Sequence, residues 1–237
     1  MSPVAAEEIA LRRAEILARI AEAAARRDRD PAAVALMAVT KTQSPETVAN
    51  AARAGITLFG ENRVQEAAAK IDALKVEFPG LEWRLIGPLQ TNKAKTALQY
   101  FQAVESVDRE RLAVRLEALL AGGPRVLRVL LEVNLGTEES KSGASPGGAE
   151  GLARAVLACP HLALRGLMAV PPFDADPESS RPHFAALRGL RDRLAESLGR
   201  PLPELSMGMS HDFPVAVEEG ATQVRVGTAL FGPREAA

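Results

Sequence analysis

The sequence predicts one α/β domain closed as a (β/α)8 TIM barrel. Three observations carry this. Short apolar, β-rich runs alternate with helix-like runs eight times along the chain, and strands separated by helices pair in parallel through crossover connections. Eight is the strand number that closes a small barrel with a filled interior. The length of 237 residues suits such a barrel, which takes roughly 250. An open doubly wound sheet is the alternative reading of the same alternation. No second domain is visible, so the expected domain spans 1–237, with 1–30 as an extra helix packed on the barrel.

That opening helix is read from Ile9, Ile16, Leu17 and Ile20, which share one face at helical spacing, and from abundant Ala. Pro31 marks its end. The first strand is expected at 34–40 (VALMAVT), followed by a helix at 45–54 that Ser44 caps. The second strand is expected at 56–59 with its helix at 64–76, and the third at 83–86 with its helix at 92–100. The fourth is expected at 103–107, with Asp108 capping a helix over 109–120. The fifth, at 126–133, is followed by a Gly- and Ser-rich loop over 136–148 and a helix to 158. The sixth, at 162–170, precedes a long helix at 178–198. A short seventh strand at 205–207 leads to a helix at 213–219, and the eighth lies at 222–226.

Composition narrows the function classes. The chain is 47% hydrophobic and 25% charged, with 29 basic and 30 acidic residues and a net charge of −1. This balance steers it neither to nucleic acid nor to an anionic membrane. Charges interrupt the first thirty residues and no apolar run reaches a membrane span, so a cytoplasmic location is expected. The one cysteine, Cys159, excludes an internal disulfide and reads as a buried, inert thiol. His161, His183 and His211 have no ligand spacing, so no metal site is expected. No G-x-S-x-G, P-loop or G-x-G-x-x-G motif is present.

In a barrel of this kind the chemistry sits at the C-terminal ends of the strands. The residues expected there are Lys41, Glu61, Asn62, Gly87, Gln90, Asn134, Arg225, Gly227 and Thr228, with Ser206, Met209 and Ser210 on and after the seventh strand. A Lys at a barrel mouth can be desolvated, which frees its amine to form Schiff bases with carbonyl compounds. Alone, Lys41 reads first as a solvated surface lysine. The loops MGMSHD and VGTALFG combine Gly with Ser210 and Thr228, where barrels often bind phosphate; ordinary turn chemistry is the plainer alternative. Arg225 interrupts an apolar strand (TQVRVG) and needs a partner if buried, whether a structural carboxylate or a ring nitrogen acting as acceptor. An amine, a phosphate cradle and an Arg on one face together describe a pyridoxal phosphate site.

Seven ordered segments carry a resemblance. They are AVTKTQSPE around Lys41, FGENRVQE from Phe59, WRLIGPLQTNKAK from Trp83, EVNLGTEESKSG from Glu132, RGLMAVPP from Arg165, LSMGMSHD from Leu205 and VRVGTALFGPR from Val224. The chain resembles the pyridoxal phosphate homeostasis proteins, a family whose fold is the N-terminal barrel of alanine racemase. The resemblance implies an aldimine between Lys41 and pyridoxal 5′-phosphate. It implies a phosphate site at Ser210, Gly227 and Thr228 with Met209 beside them, Arg225 at the pyridine nitrogen, and Asn62 lining the ring pocket. It implies a carrier without catalytic turnover that stores or delivers the cofactor, with apo-enzymes as recipients and a monomer as the expected state. Where the family commonly has an acidic residue after SMGMS, this chain has His211 and then Asp212. His211 is expected as a surface residue or as a pH-sensitive group at the phosphate mouth. Lys141 in the SKSG segment is expected as a solvated loop residue or a second amine for transient capture.

The competing reading is an amino-acid racemase. Racemization needs acid–base groups on both faces of a carbanion, and no second such group is recognised among the strand-end residues. The only tyrosine, Tyr100, ends a helix and is expected at the opposite mouth.

Overall fold

The computed structural model describes residues 3–136 and 142–233; Lys141 lies outside the described residues. Eight strands close into a barrel: β1 (Ala35–Val39), β2 (Leu58–Glu61), β3 (Glu82–Leu85), β4 (Ala103–Val107), β5 (Leu127–Glu132), β6 (Leu162–Met168), β7 (Glu204–Met209) and β8 (Gln223–Val226). Each pairs in parallel with the next, and β8 returns to β1 with Met37 opposite Arg225. The helices are α1 (Ala6–Ala25), α2 (Pro45–Arg53), α3 (Val64–Leu74), α4 (Ala94–Tyr100), α5 (Glu110–Leu120), α6 (Ala149–Leu157), α7 (Arg181–Ser197), α8 (Phe213–Glu218) and α9 (Thr228–Phe231). The closed order excludes the open doubly wound sheet.

The main core lies between the sheet and its helices. Val104, Leu127, Val129 and Leu131 from the strands belong to it with Leu112 and Leu116 of α5 and Val156 of α6; burying each such side chain stabilises by roughly 1.5–3 kcal/mol. The extra helix α1 buries Ile9, Ile16 and Ile20, as their spacing predicts, and packs on α2, α8 and α9. Among the described residues, no helix is long and apolar enough to cross a membrane. Cys159 is buried and its thiol donates to the Ala155 carbonyl at 3.4 Å; burial, then Glu117 and Glu110, push its pKa up, which disfavours the reactive thiolate.

Departures from expectation at β2, β7 and α5 have local reasons or consequences. The second strand starts at Leu58, because Gly55 at φ 84° ends α2 and the amides of Gly55 and Ile56 turn back to Ala52 and Ala51. Glu61 therefore stands on the strand and not after it. The seventh strand extends to Met209, which leaves Ser206 in mid-strand. Asp108 does not cap α5; its carboxylate pairs with Arg109 at 2.5 Å, and the cap position falls on Arg109 with no side-chain bond.

Candidate functional site

Lys41 sits on a turn just beyond the C-terminal end of β1. The amide of Gln43 closes that turn on the Thr40 carbonyl at 3.0 Å. Thr42, at φ 68°, occupies the left-handed position that type II turns reserve for Gly or Asn. A β-branched residue there is strained, and the surroundings hold it. The Thr42 amide donates to Glu66 Oε1 at 2.6 Å. Lys70, on α3 and almost fully buried, donates to the Thr40 carbonyl at 2.6 Å, to Glu61 Oε1 at 2.7 Å and to Glu66 Oε1 at 2.8 Å. The Thr40 hydroxyl donates to the same Glu61 oxygen at 2.6 Å. The turn that carries Lys41 is thus clamped from below by an ammonium and two carboxylates. Desolvation raises the pKa of Glu61, with Lys70 opposing. For Glu66 desolvation is outweighed by the bonds from Lys70 and the Thr42 amide, and its pKa falls.

Asn62 follows β2 at the same mouth. It is half-buried, and its Oδ1 is buried without a hydrogen-bond partner among the described residues. The backbone of Asn62 presses on Gly87 beyond β3, where a Cβ would stand 2.3 Å from the Asn62 carbonyl oxygen. Only glycine permits that approach. Ser106 holds Gly87 from the other side, donating to its carbonyl at 2.6 Å. Gln90 is exposed.

The loops after β7 and β8 meet through Ser210. Its Oγ accepts from the amides of Gly227 and Ala229 at 3.1 and 3.2 Å. Asp212 fixes the first loop: its carboxylate accepts from the Met209 amide at 2.7 Å and from Ser180 Oγ at 2.9 Å. Ser210, His211, Thr228, Ala229 and Pro233 line an open depression there, with Thr228 exposed. Met209 is half-buried on β7, opposite Arg225. His211 is exposed; its Nε2 lies 2.9 Å from the Ala175 carbonyl and its ring leans on Phe173, so it ties down the segment after β6.

Arg225 is 4% exposed and has no carboxylate partner within ion-pair distance among the described residues. Its Nη1 donates to the Ser206 carbonyl and hydroxyl at 2.6 and 2.7 Å, and its Nη2 to the Ala169 carbonyl at 2.7 Å. Desolvation lowers its pKa, against Glu105, Asp212 and Glu132. Ser206 passes the contact downward, donating to Glu105 Oε2 at 2.6 Å, while Gln223 Nε2 reaches Glu105 at 2.8 and 3.0 Å and Arg84 reaches it at 3.2 Å. A polar column fills a barrel interior that is usually apolar.

The mouth therefore brings together Lys41, Asn62, Met209, Ser210, Arg225, Gly227 and Thr228. Sequence reasoning missed Lys70, Glu105 and Glu132. A further ionisable group stands at this mouth: Glu132 ends β5 there, is 8% exposed, and burial pushes its pKa up to about 7. The signal was a carboxylate closing a strand with a run of apolar residues, Val129 to Leu131. Tyr100 ends α4 and donates to Asp72 at 2.9 Å, away from the mouth as expected.

Comparison with known proteins bears on this geometry. The family described as alanine racemase, N-terminal domain matches residues 11–235. The pyridoxal phosphate homeostasis protein of Aquifex aeolicus is 43% identical over 224 residues, covering 94% of this chain and 97% of its own. That of Pseudomonas aeruginosa is 46% identical over 222 residues, 94% of each chain. The chain belongs to the alanine racemase N-terminal domain family, within its pyridoxal phosphate homeostasis group. Among solved structures, PipY of Synechococcus elongatus PCC7942, with PLP bound, superposes at TM-score 0.83 with 36% identity, covering 94% of this chain and 100% of that one. The family membership read from the seven ordered segments holds, and the barrel is shared with a solved relative.

Proposed function

We propose that this protein binds pyridoxal 5′-phosphate at the C-terminal mouth of its barrel and acts as a carrier that keeps the reactive aldehyde sequestered. The observation that carries the reading is the convergence of three elements on one mouth: the clamped Lys41 turn, the Ser210–Gly227–Ala229 latch and the guanidinium of Arg225. The residues fit the group. The orphaned, buried Oδ1 of Asn62 faces a need that a ligand meets. Bound pyridoxal phosphate supplies an electrophilic aldehyde and an electron-withdrawing ring.

Lys41 is the residue that holds that aldehyde covalently. Ser210, Gly227 and Thr228 form the phosphate site, the Ser210 hydroxyl donating while its oxygen accepts from the Gly227 amide, with Met209 alongside; Asn62 lines the ring, and Arg225 faces its nitrogen. An Arg donates a hydrogen bond to a ring nitrogen and does not surrender a proton to it, which favours retention over carbanion chemistry. On this reading the protein is non-catalytic, monomeric and cytoplasmic, and apo-enzymes that use the cofactor receive it.

Addition of pyridoxal phosphate to the purified protein should produce a visible absorbance band. Borohydride should fix the band, and peptide mapping should place the adduct on Lys41. A protein that stays colourless overturns the reading. Deuterium wash-in at the α-carbon of amino acids should be no faster than with free cofactor, and rapid exchange lost in Lys41→Ala would make the protein a racemase.

A further inference from the structure

We propose that Glu132 is a binding residue of this mouth: its carboxyl, in the neutral form, donates a hydrogen bond to the bound cofactor, and its ionisation loosens the hold. The inference rests on the function proposed above.

Position comes first. Along β5, Leu127, Val129 and Leu131 point to the core beneath the helices. Side chains alternate along a strand, so Arg128, Leu130 and Glu132 share the other face, toward the barrel interior; Leu130 is buried and lies outside the sheet–helix core. Arg128 reaches Glu82 at the N-terminal end of the barrel, at 2.8 Å. Glu132, at the other end of the strand, is left at the mouth where Lys41 and Arg225 stand.

Its surroundings do not explain a charge. The side chain is 8% exposed and its Oε2 is buried with no partner among the described residues. The charged groups that face it are Asp108 beyond β4 and Arg225 on β8. From β6 its neighbour is Met168, opposite in register, and beyond β5 its backbone carbonyl receives the Ala144 amide. Arg225 forms no ion pair with it among the described residues; its Nη1 is held by Ser206 and its Nη2 by Ala169. Desolvation, then the like charge of Asp108, against the weaker pull of Arg225, bring the carboxyl to about 7.

A buried oxygen without a partner is costly unless a ligand satisfies it. A neutral carboxyl offers one donor and further acceptor capacity, whereas the ionised form only accepts. The ligand proposed for this mouth carries an anionic phosphate. A neutral Glu132 can donate to it; an ionised one repels it. Coupling is reciprocal, so the bound anion favours the protonated carboxyl, and affinity falls as pH rises through neutrality.

The test uses the full chain and compares wild type with Glu132→Gln and Glu132→Ala. Dissociation constants for pyridoxal phosphate are measured by absorbance titration from pH 6 to 9, with melting temperatures at pH 6 to check folding. Titrations of the free cofactor and of Lys41 are common to all three proteins and cancel in the ratios. Gln copies the neutral carboxyl, so wild type and Glu132→Gln should bind alike at pH 6 and diverge above neutrality, with wild type about tenfold weaker at the alkaline end. Glu132→Ala should bind more weakly than Gln at every pH. Ratios that stay constant across the range overturn this inference alone. Failure of all three proteins to bind at any pH overturns the function proposed above, and this inference with it.

Discussion

The ammonium of Lys70 stands 2.6 Å from the carbonyl oxygen of Thr40, the residue before Lys41. A buried cation on one helix thereby sets the backbone that presents the amine of a neighbouring strand. Removing it should be costly, because Lys70→Met leaves Glu61 buried and uncompensated; breaking one side of a buried pair costs about 3–5 kcal/mol. Denaturant unfolding should show that loss, and pyridoxal phosphate binding should weaken with it. The double variant Lys70→Met, Glu61→Leu should regain much of the stability but not the binding. Unchanged stability in the single variant would show that the clamp is ornamental.

Ser210 and Thr228 separate into two roles. Ser210 Oγ accepts from two amides of the loop after β8, whereas the exposed Thr228 has no side-chain bond of this kind among the described residues. Ser210→Ala should lower both stability, by about 1–3 kcal/mol, and cofactor affinity, about tenfold or more. Thr228→Val should lower affinity and leave the melting temperature in place. If both variants bind as wild type does, the phosphate site lies elsewhere.

Ser206 joins Arg225 to Glu105 by accepting from one at 2.7 Å and donating to the other at 2.6 Å. Ser206→Ala leaves a buried guanidinium and a buried carboxylate each short of a bond, at a cost of about 1–3 kcal/mol. Arg225 should then be less firmly held, and the absorbance maximum of the bound cofactor should shift. Ser206→Cys, which keeps a weak donor and acceptor, should move less. A destabilised variant with an unshifted spectrum would confine Ser206 to a structural part.

These three sites differ in how readable they were. Lys41 and Arg225 stood out because a charged residue ending or interrupting an apolar β-run breaks the strand pattern, and a barrel sends strand ends to one mouth. Ser210 was legible because the loops MGMSHD and VGTALFG each combine Gly with a hydroxyl residue. Lys70 was not, since a Lys four residues after a Glu on a helix reads as a solvated pair; only the fold reveals that its side chain turns inward beneath Thr40. Glu105 interrupts an apolar run as Arg225 does, but it stands in mid-strand, and only the fold shows its carboxylate inside the barrel with Arg84, Ser206 and Gln223. The second strand was displaced because Ile56 is apolar and β-branched, yet its amide belongs to the helix end that Gly55 makes. Asp108 has the residue type of an N-cap, but the adjacent Arg109 claims its carboxylate.

Glu132 should make the stability of the apo-protein depend on pH in a defined direction. Its folded pKa of about 7 lies above the ordinary 4.5. Between those values the folded chain holds a proton that the unfolded chain has released. Stability therefore falls as pH rises through that window, and below it the penalty is absent. Above about 7 the penalty is complete, on the order of 3 kcal/mol. Glu132→Gln cannot ionise, so it should match wild type near pH 4 and exceed it in stability at pH 8 by that amount. Urea unfolding without cofactor, run at both pH values, measures the difference directly. Equal stabilities at pH 8 would mean that the carboxyl ionises freely in the folded chain, through solvent access or a cation that reaches its unpartnered oxygen.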